Sequence, residues 1–255
     1  MLTDFALAVL GLVILLLAGD ALVRGAVNLA IRLGIPALLV SLTIVAFGTS
    51  APELLVSVAS VTSDAPGIAL GNVVGSNTAN ILLVLGVPAL ISGLDTGATE
   101  SRKTYTMMMA ASVLFIALAF LGPFTWWHGA ILLAGLTLML GDAARAARAH
   151  RADAAEAAAL ASDDPEDLEG ADPDMPGWKL GLFLVLGLIG LPLGADILVD
   201  SASDIAEELG VPDTVIGLTL VALGTSLPEL ATTVMAALRN QTDVALGNVI
   251  GSNMF

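Results

Sequence analysis

Two stretches of this 255-residue chain are copies of one another. Without a gap, 27 of 61 positions are identical between Gly19–Ala79 and Ala195–Phe255. Within them, VAFGTSAPELL at Val45–Leu55 returns as VALGTSLPELA, and ALGNVVGSN at Ala69–Asn77 returns as ALGNVIGSN, each 176 residues later. A repeat of this kind predicts a fold that is built from two related halves.

The composition predicts that most of the surface lies in lipid. Hydrophobic residues make up 56% of the chain and charged residues 13%, with a mean hydropathy of +0.91. In soluble domains, hydrophobic residues make up about 45–50% of the chain and charged residues about 25%. The net charge of −15 argues against a nucleic-acid partner, because few bases could contact phosphates. The absence of cysteine excludes thiol catalysis and Cys-ligated zinc. We therefore predict an all-α integral membrane protein within a lipid bilayer.

Eight apolar segments are candidates for spanning helices, each of which needs about 20 mostly apolar residues. The first is not a cleaved signal peptide, because no Lys or Arg precedes it. The last has only about twelve residues, which is too few to span. The segments are Phe5–Ala30, Pro36–Thr62, Ile68–Ile91, Thr104–Leu121, Trp126–Leu140, Trp178–Val199, Val211–Leu238 and Val244–Phe255.

A polar stretch separates the fifth segment from the sixth. Residues 142–177 begin with an Ala-rich run that contains three arginines and continue with seven acids between Asp163 and Asp174. The acids lack the spacing of an EF-hand, so a solvated loop is favoured over a calcium sensor. We therefore predict a first half at 1–141, an acidic loop at 142–177 and a second half at 178–255.

The basic residues predict the orientation of the spans. With the N-terminus outside, all nine Lys and Arg residues, and with them the central loop, fall on the cytoplasmic side. Five spans separate each residue from its copy, which turns the second half upside down. The charges agree, since Arg24 is matched by Asp200 and Arg32 by Glu208. An inverted repeat is typical of secondary transporters, whose sites lie at the midplane between the copies, although a channel can also contain one.

We interpret Glu53 and its copy Glu229 as the only acids well inside apolar segments, with no Lys or Arg at comparable depth. A buried acid costs about 2.5–3.5 kcal/mol on insertion scales, so it needs a cation, a proton or water. Two carboxylates that meet at the midplane suit Ca²⁺, which prefers oxygen ligands. A protonated pair with only a structural role is the less favoured alternative.

The motif around each glutamate supplies further oxygen atoms. Pro52 and Pro228 have no amide hydrogen, so each frees the carbonyl oxygen four residues earlier and interrupts its helix. Interrupted helices at membrane depth line cavities, where the carbonyl oxygens of Ala46 and Ala222 become available. The hydroxyl candidates for a Na⁺ or Ca²⁺ site are Thr49, Ser50, Thr225 and Ser226.

The second motif adds amides and hydroxyls. Its polar members are Asn72, Ser76, Asn77 and Asn80 in the first copy, with Asn248, Ser252 and Asn253 in the second. Its glycines stand four residues apart, a spacing typical of close helix packing in which Asn and Ser bond between helices. We expect both roles, with the glycines packing while Ser76 and Asn80 face the same cavity as Glu53.

The paired motifs GTSAPE with GNVVGSN and GTSLPE with GNVIGSN resemble the two α-repeats of the calcium/cation antiporter superfamily, in particular its sodium/calcium exchangers with their prokaryotic members. The resemblance covers roughly residues 19–91 and 195–255. It implies ten transmembrane helices in two inverted five-helix halves, of which this chain holds about eight. It also implies that Glu53 and Glu229 bind Ca²⁺ and share Na⁺ sites. The other implied oxygen donors are Thr49, Ser50, Ser76, Asn80, Thr225, Ser226 and Ser252, the carbonyls of Ala46 and Ala222, and the motif residues Asn77 and Asn253.

The expected function is therefore the exchange of Na⁺ for Ca²⁺ by alternating access around two midplane glutamates, with no enzymatic activity and no prosthetic group. A proton/calcium antiporter, a potassium-dependent exchanger and a cation channel stay open. An intramembrane hydrolase is least favoured, because no His lies at depth and no nucleophile has a base. We expect a multi-pass protein of a prokaryotic cell membrane. The sequence sets no oligomeric state, and a monomer is compatible with it.

Overall fold

The chain is helical, as the composition predicted. The computed structural model describes residues 1–94, 101–158, 172, 174–212, 216, 220 and 222–255, and no strand occurs in these ranges. The described helices are α1 (Leu2–Leu33), α2 (Ala37–Thr49), α3 (Ala51–Thr62), α4 (Pro66–Ser92), α5 (Ser101–Ala119), α6 (Trp126–Ala158), α7 (Gly177–Glu208), α8 (Ala222–Gly224), α9 (Leu227–Leu238) and α10 (Thr242–Ser252).

Fewer helices than expected are long and apolar enough to cross a membrane alone. In the described ranges these are α1, α4, α6 and α7, and α2 with α3, which meet at an angle of 43°, pass the same test only when they are taken together as one broken span. The basic pair Arg102 and Lys103 lowers the hydropathy of α5 at its first turn. α9 has only 12 residues, and most of the seventh predicted segment before α8 lies outside the described residues.

α6 continues well beyond the apolar segment that predicted it. It runs as one helix to Ala158, so the Ala-rich run with its arginines is helical, as expected. The predicted boundary at residue 141 therefore falls inside a helix, and the division into halves and loop stays a prediction. The acids from Asp163 to Glu169 lie outside the described residues.

The two copies share backbone details that no composition could impose. Gly34 (φ 62°) and Gly210 (φ 79°), which are 176 residues apart, both end a helix in the left-handed region. Asp64 (φ 57°) and Asn240 (φ 54°) adopt the same conformation at equivalent turns. For residues with a Cβ this conformation is uncommon and is best tolerated by Asp and Asn. The repeat in sequence is therefore also a repeat in structure.

The first helices of the two copies, α1 and α7, pack side by side with glycine at the closest points. A Cβ on Gly11 would lie 2.7 Å from the amide nitrogen of Leu198, whereas one on Gly187 would lie 2.5 Å from the Cβ of Leu22. As the residue number rises along α1 it falls along α7, so the helices are antiparallel. This is the arrangement that an inverted repeat requires.

The two glycines of the second motif do not pack equally in both copies of the repeat. Cβ atoms on Gly247 and Gly251 would lie 2.8 Å and 2.5 Å from the backbone oxygens of Leu38 and Leu42. Cβ atoms on Gly71 and Gly75 would meet nothing within 4 Å in the described structure. The expected close packing is therefore present where α10 lies against α2, and it is not seen for α4.

Charged contacts gather at the two ends of the α1–α7 pair. At one end the Met1 ammonium group contacts Glu208 at 3.2 Å. Towards the other, Asp20 pairs with Arg239 and, at 3.0 Å, with Arg24. Arg24 and Arg239 thus lie on one side, as the orientation requires, while the identity of that side stays a prediction. Asp20 also corrects the view that only the two glutamates are acids within apolar segments.

Candidate cation site

Each glutamate lies in the first turn of a helix that follows a break. The chain turns at Ser50 (φ −83°, ψ 4°) between α2 and α3, and at Ser226 (φ −89°, ψ 0°) before α9. Pro52 and Pro228 lie at the start of the new helices, where a missing amide hydrogen costs no helical bond. The sequence therefore breaks both helices at the same motif and presents the acid immediately after the break.

Glu229 is fully enclosed, with 0% of the residue exposed. Its Oε1 atom accepts a hydrogen bond from the Ser50 hydroxyl at 3.0 Å and another from the Ser252 hydroxyl at 3.4 Å. Ser50 belongs to the first copy and Ser252 to the second, so the two halves meet at this carboxylate. The other oxygen, Oε2, is buried and has no hydrogen-bond partner among the described residues.

Glu53 is 9% exposed, and neither of its carboxylate oxygens has a hydrogen-bond partner in the described part of the chain. It lies within electrostatic range of Glu229. Of the two acids, only Glu229 is held by hydroxyl groups. Buried carboxylate oxygens without partners are costly unless a cation or a proton compensates them.

The amides of the second motif also meet across the two copies. Asn80 Nδ2 donates to Asn253 Oδ1 at 3.0 Å, and Asn253 Nδ2 donates to the carbonyl oxygen of Asn77 at 3.5 Å. Asn80 opens a π-helical turn, Asn80–Val84, within α4; such turns are frequent at functional sites. Its own Oδ1 is buried and has no partner in the described ranges.

The remaining candidates divide into those near the carboxylates and those that bond locally. The Thr49 hydroxyl has one hydrogen and two acceptors within reach, the carbonyl oxygen of Ala46 at 3.2 Å and Asn248 Oδ1 at 3.1 Å. The hydroxyls of Thr225 and Ser226 are buried without a partner among the described residues. Ser76, by contrast, donates back to its own helix at the Val73 carbonyl (3.3 Å), so this structure does not bring it to Glu53. Ala222 begins α8, one turn before the break.

Six of the eight buried side-chain oxygens without a partner in the described residues belong to the repeated motifs. They are Glu53 Oε1 and Oε2, Glu229 Oε2, Asn80 Oδ1, Thr225 Oγ1 and Ser226 Oγ, while the other two are Ser203 Oγ and Asp243 Oδ1. No group of three or more His, Cys, Asp or Glu residues occurs in the described ranges, so the site holds a carboxylate pair and neutral oxygens. A donor set made only of oxygen suits hard cations such as Na⁺ and Ca²⁺.

Sequence reasoning did not anticipate how Asn72 and Asn248 are used. Asn72 Nδ2 donates to the carbonyl oxygen of Glu53 and to Ser57 Oγ, both at 3.0 Å. Asn248 Nδ2 donates to the carbonyl oxygen of Glu229 (3.3 Å) and to Thr233 Oγ1 (3.1 Å). The signal was present in the repeat, since both asparagines and a hydroxyl residue four positions after each glutamate recur at the same offset.

The family model described as sodium/calcium exchanger protein matches residues 3–140 and 179–255. The chain belongs to this family. These exchangers are membrane transporters and not an enzyme class, which agrees with the absence of a predicted catalytic site. The matched ranges leave out the whole of the central stretch, residues 142–177, that was predicted to be an acidic loop.

Individual relatives cover nearly the whole chain. The putative antiporter CaxA of Alkalimonas amylolytica is 35% identical over 100% of this chain and 78% of its own length. The sodium/calcium exchanger MaX1 of Methanosarcina acetivorans is 39% identical over 98% of this chain and 79% of its own. The family expected from the paired motifs is therefore confirmed, and both of these relatives are prokaryotic.

A solved exchanger has the same fold. The structure of the sodium-calcium exchanger NCX_Mj, soaked with 2.5 mM Na⁺ and 1 mM Sr²⁺, superposes with a TM-score of 0.80 at 33% identity. The match covers 98% of this chain and 78% of that one. The all-helical, multi-pass membrane architecture with an inverted repeat is thus that of a sodium/calcium exchanger.

Proposed function

We propose that this chain exchanges Na⁺ for Ca²⁺ across the membrane by alternating access around Glu53 and Glu229. The observation that carries the proposal is the group of buried oxygens without partners, which includes three of the four carboxylate oxygens of the pair. Such oxygens stay unpaired at a high cost unless a ligand binds to them. A cation that carries two positive charges compensates two carboxylates, and so do two monovalent cations.

The ligands of this site come from both halves of the repeat. Glu229 is joined to Ser50 of the first half and Ser252 of the second, and Asn80 is joined to Asn253. We propose that the cations bind to Glu53, Glu229, Thr49, Ser50, Asn80, Thr225, Ser226 and Ser252, with the carbonyl oxygens of Ala46 and Ala222. Asn77 and Asn253, which hydrogen-bond to each other, complete the proposed set, and Ser76 is left out because it bonds back to its own helix.

Competition for shared oxygens explains why such a site exchanges ions and does not leak them. Ca²⁺ and Na⁺ need the same carboxylates, so the presence of one excludes the other. An empty site has two uncompensated charges in a low-dielectric surrounding, where the cost of changing access is high. Access therefore changes only when the site is loaded, which couples the two fluxes.

The test is Na⁺-dependent uptake of ⁴⁵Ca²⁺ into proteoliposomes that contain the purified protein. We expect uptake when Na⁺ is inside and absent outside, and none when choline replaces Na⁺. Glu53→Gln and Glu229→Gln each remove one charge from the site, and we expect either change to abolish uptake. The matched control is Glu207→Gln, because Glu207 is an exposed acid near the end of α7.

The same vesicles distinguish the alternatives. Uptake that follows a pH gradient without Na⁺ supports a proton/calcium antiporter. A requirement for K⁺ together with Na⁺ supports a potassium-dependent exchanger. Fast Ca²⁺ flux without any counter-ion supports a channel. Full Na⁺-dependent uptake in either glutamate variant refutes the site.

A further inference from the structure

Asn72 and Asn248 hold the two carboxylate-bearing helices in the same way. Each asparagine donates through Nδ2 to the carbonyl oxygen of a glutamate and to a hydroxyl one turn later, Ser57 in the first copy and Thr233 in the second. The contact fixes the first turn of the helix after the break against the helix that follows. Both copies form this pair of hydrogen bonds, so it is a shared feature of the repeat.

Asn248 makes one contact that Asn72 does not. Its Oδ1 accepts a hydrogen bond from Thr49 Oγ1 at 3.1 Å, and Asn248 is 0% exposed. Thr49 belongs to the first half of the chain and Asn248 to the second, so this contact joins the halves next to Glu229. In the other copy Thr225, the equivalent of Thr49, has an unpartnered hydroxyl within the described residues.

The contact decides where the proton of Thr49 points. A hydroxyl has one hydrogen and two lone pairs. When the hydrogen points to Asn248 Oδ1 or to the carbonyl oxygen of Ala46, the lone pairs are available to a cation. A hydrogen that pointed into the site would repel the cation instead. Ala46 is itself a proposed carbonyl donor, and its oxygen already accepts a hydrogen bond from the Ser50 amide at 3.0 Å, so Asn248 as acceptor spares that oxygen a second bond.

We propose that Asn248 is a positioning residue of the cation site, which orients the Thr49 hydroxyl and fixes the turn that presents Glu229. The inference rests on the proposed function, because it assigns a role at the same site. Both amide hydrogens of Asn248 and one of the two lone pairs of its oxygen are engaged by protein groups, so we assign it a positioning role and not that of a cation ligand. Its role is to tie a ligand of one half to a ligand of the other.

The test is a double-mutant cycle between Asn248→Ala and Thr49→Val, with the KM for Ca²⁺ as the readout. We expect each single variant to raise KM roughly tenfold, which corresponds to about 1.4 kcal/mol. If Asn248 acts through Thr49, the double variant raises KM by about the same factor and not by the product of the two. In the matched cycle of Asn72→Ala with Thr225→Val, the two effects on KM should multiply, because Asn72 and the Thr225 hydroxyl form no hydrogen bond among the described residues.

A further variant separates positioning from packing. Thr233→Val removes a partner of the Asn248 amide group but leaves the Thr49 contact in place, so we expect lower thermal stability with KM within about twofold of the unaltered protein. If Asn248→Ala gives no folded protein, Asn248→Ser replaces it in the cycle, because the serine side chain is too short to reach Thr49. A multiplicative Asn248–Thr49 cycle, or a Thr233→Val variant that matches Asn248→Ala in KM, overturns the inference.

A second readout keeps this inference separate from the proposed function. The rise in thermal unfolding temperature that Ca²⁺ causes in detergent reports binding without transport. If the protein binds Ca²⁺ but does not exchange it for Na⁺, the proposed function is wrong. The role of Asn248 can then still be tested, because the Asn248–Thr49 cycle is measured by the Ca²⁺-dependent rise in unfolding temperature. If exchange is intact and the cycle is multiplicative, only the role of Asn248 fails. If Ca²⁺ causes no shift and no uptake occurs, both are wrong.

Discussion

A methyl group added at Gly194 should force apart the two helices that join the halves of this protein. The Cβ of an alanine there would lie 2.8 Å from the amide nitrogen of Leu15 and 3.0 Å from the carbonyl oxygen of Gly11. Ordinary contact begins near 3.4 Å, so the deficit is about 0.6 Å. Both neighbours are backbone atoms, and the strain cannot be relieved by turning a side chain.

The magnitude follows from two opposing effects. Overpacking of this kind costs about 1–3 kcal/mol, whereas replacing glycine by alanine inside a helix gains up to about 1 kcal/mol. Gly181 lies in the same helix α7, and a Cβ there would meet nothing within 4 Å. Gly181→Ala therefore gains helix propensity without a steric clash against a neighbouring helix. We expect Gly194→Ala to be about 1–3 kcal/mol less stable than Gly181→Ala.

Thermal unfolding of the purified protein in detergent measures this difference. For a chain of this size the expected gap in midpoint is about 2–12 °C, with Gly194→Ala the lower. Gly11→Ala touches the same point from the opposite helix, and its effect should not add fully to that of Gly194→Ala. The reasoning is refuted if Gly194→Ala unfolds at or above the temperature of Gly181→Ala.

Three further predictions concern the site, the ion pair and the orientation. Ser252→Ala removes a hydroxyl that contacts Glu229, so it should raise the KM for Ca²⁺ several-fold more than Ser76→Ala, and equal effects would place Ser76 at the site. Asp20→Asn weakens the ion pairs with Arg239 and Arg24 and should lower the free energy of unfolding by roughly 1.5–3 kcal/mol. An unfolding midpoint equal to that of the unaltered protein would contradict this. The chain has no cysteine, so membrane-impermeant maleimide should label Ser63→Cys from outside and Arg239→Cys only after permeabilisation; the reverse pattern would invert the topology.

Much of the fold could be predicted from the sequence because the repeat carries it. The broken helices, the equivalent turns and the antiparallel halves all follow from residues that recur at one offset. The placement of each glutamate in the first turn of a new helix also follows, since Pro and Ser fix the break immediately before each acid. Asn80 was expected near the site, and it contacts Asn253 of the other copy.

What could not be predicted is which equivalent contacts are actually formed. The sequence treats Ser76 and Ser252 as equals, yet only Ser252 contacts a carboxylate in this structure, while Ser76 bonds to Val73. Asp20 was overlooked because one charge hardly alters the mean hydropathy of a long helix, and its partner Arg239 is 219 residues away. Contacts between distant segments depend on packing that local patterns do not encode.

If ions bind to the two glutamates as proposed, the unequal hydrogen bonding of these acids would give the passage of an ion an order in time. The Glu229 carboxylate is already fixed by Ser50 and Ser252, whereas the Glu53 carboxylate can rotate without breaking a bond to any described residue. An incoming ion would then shed its water in stages, first against the rigid acid and last against the free one. Departure in the opposite direction would begin with the Glu53 side chain swinging away, so two similar halves would produce a path whose first and last steps differ.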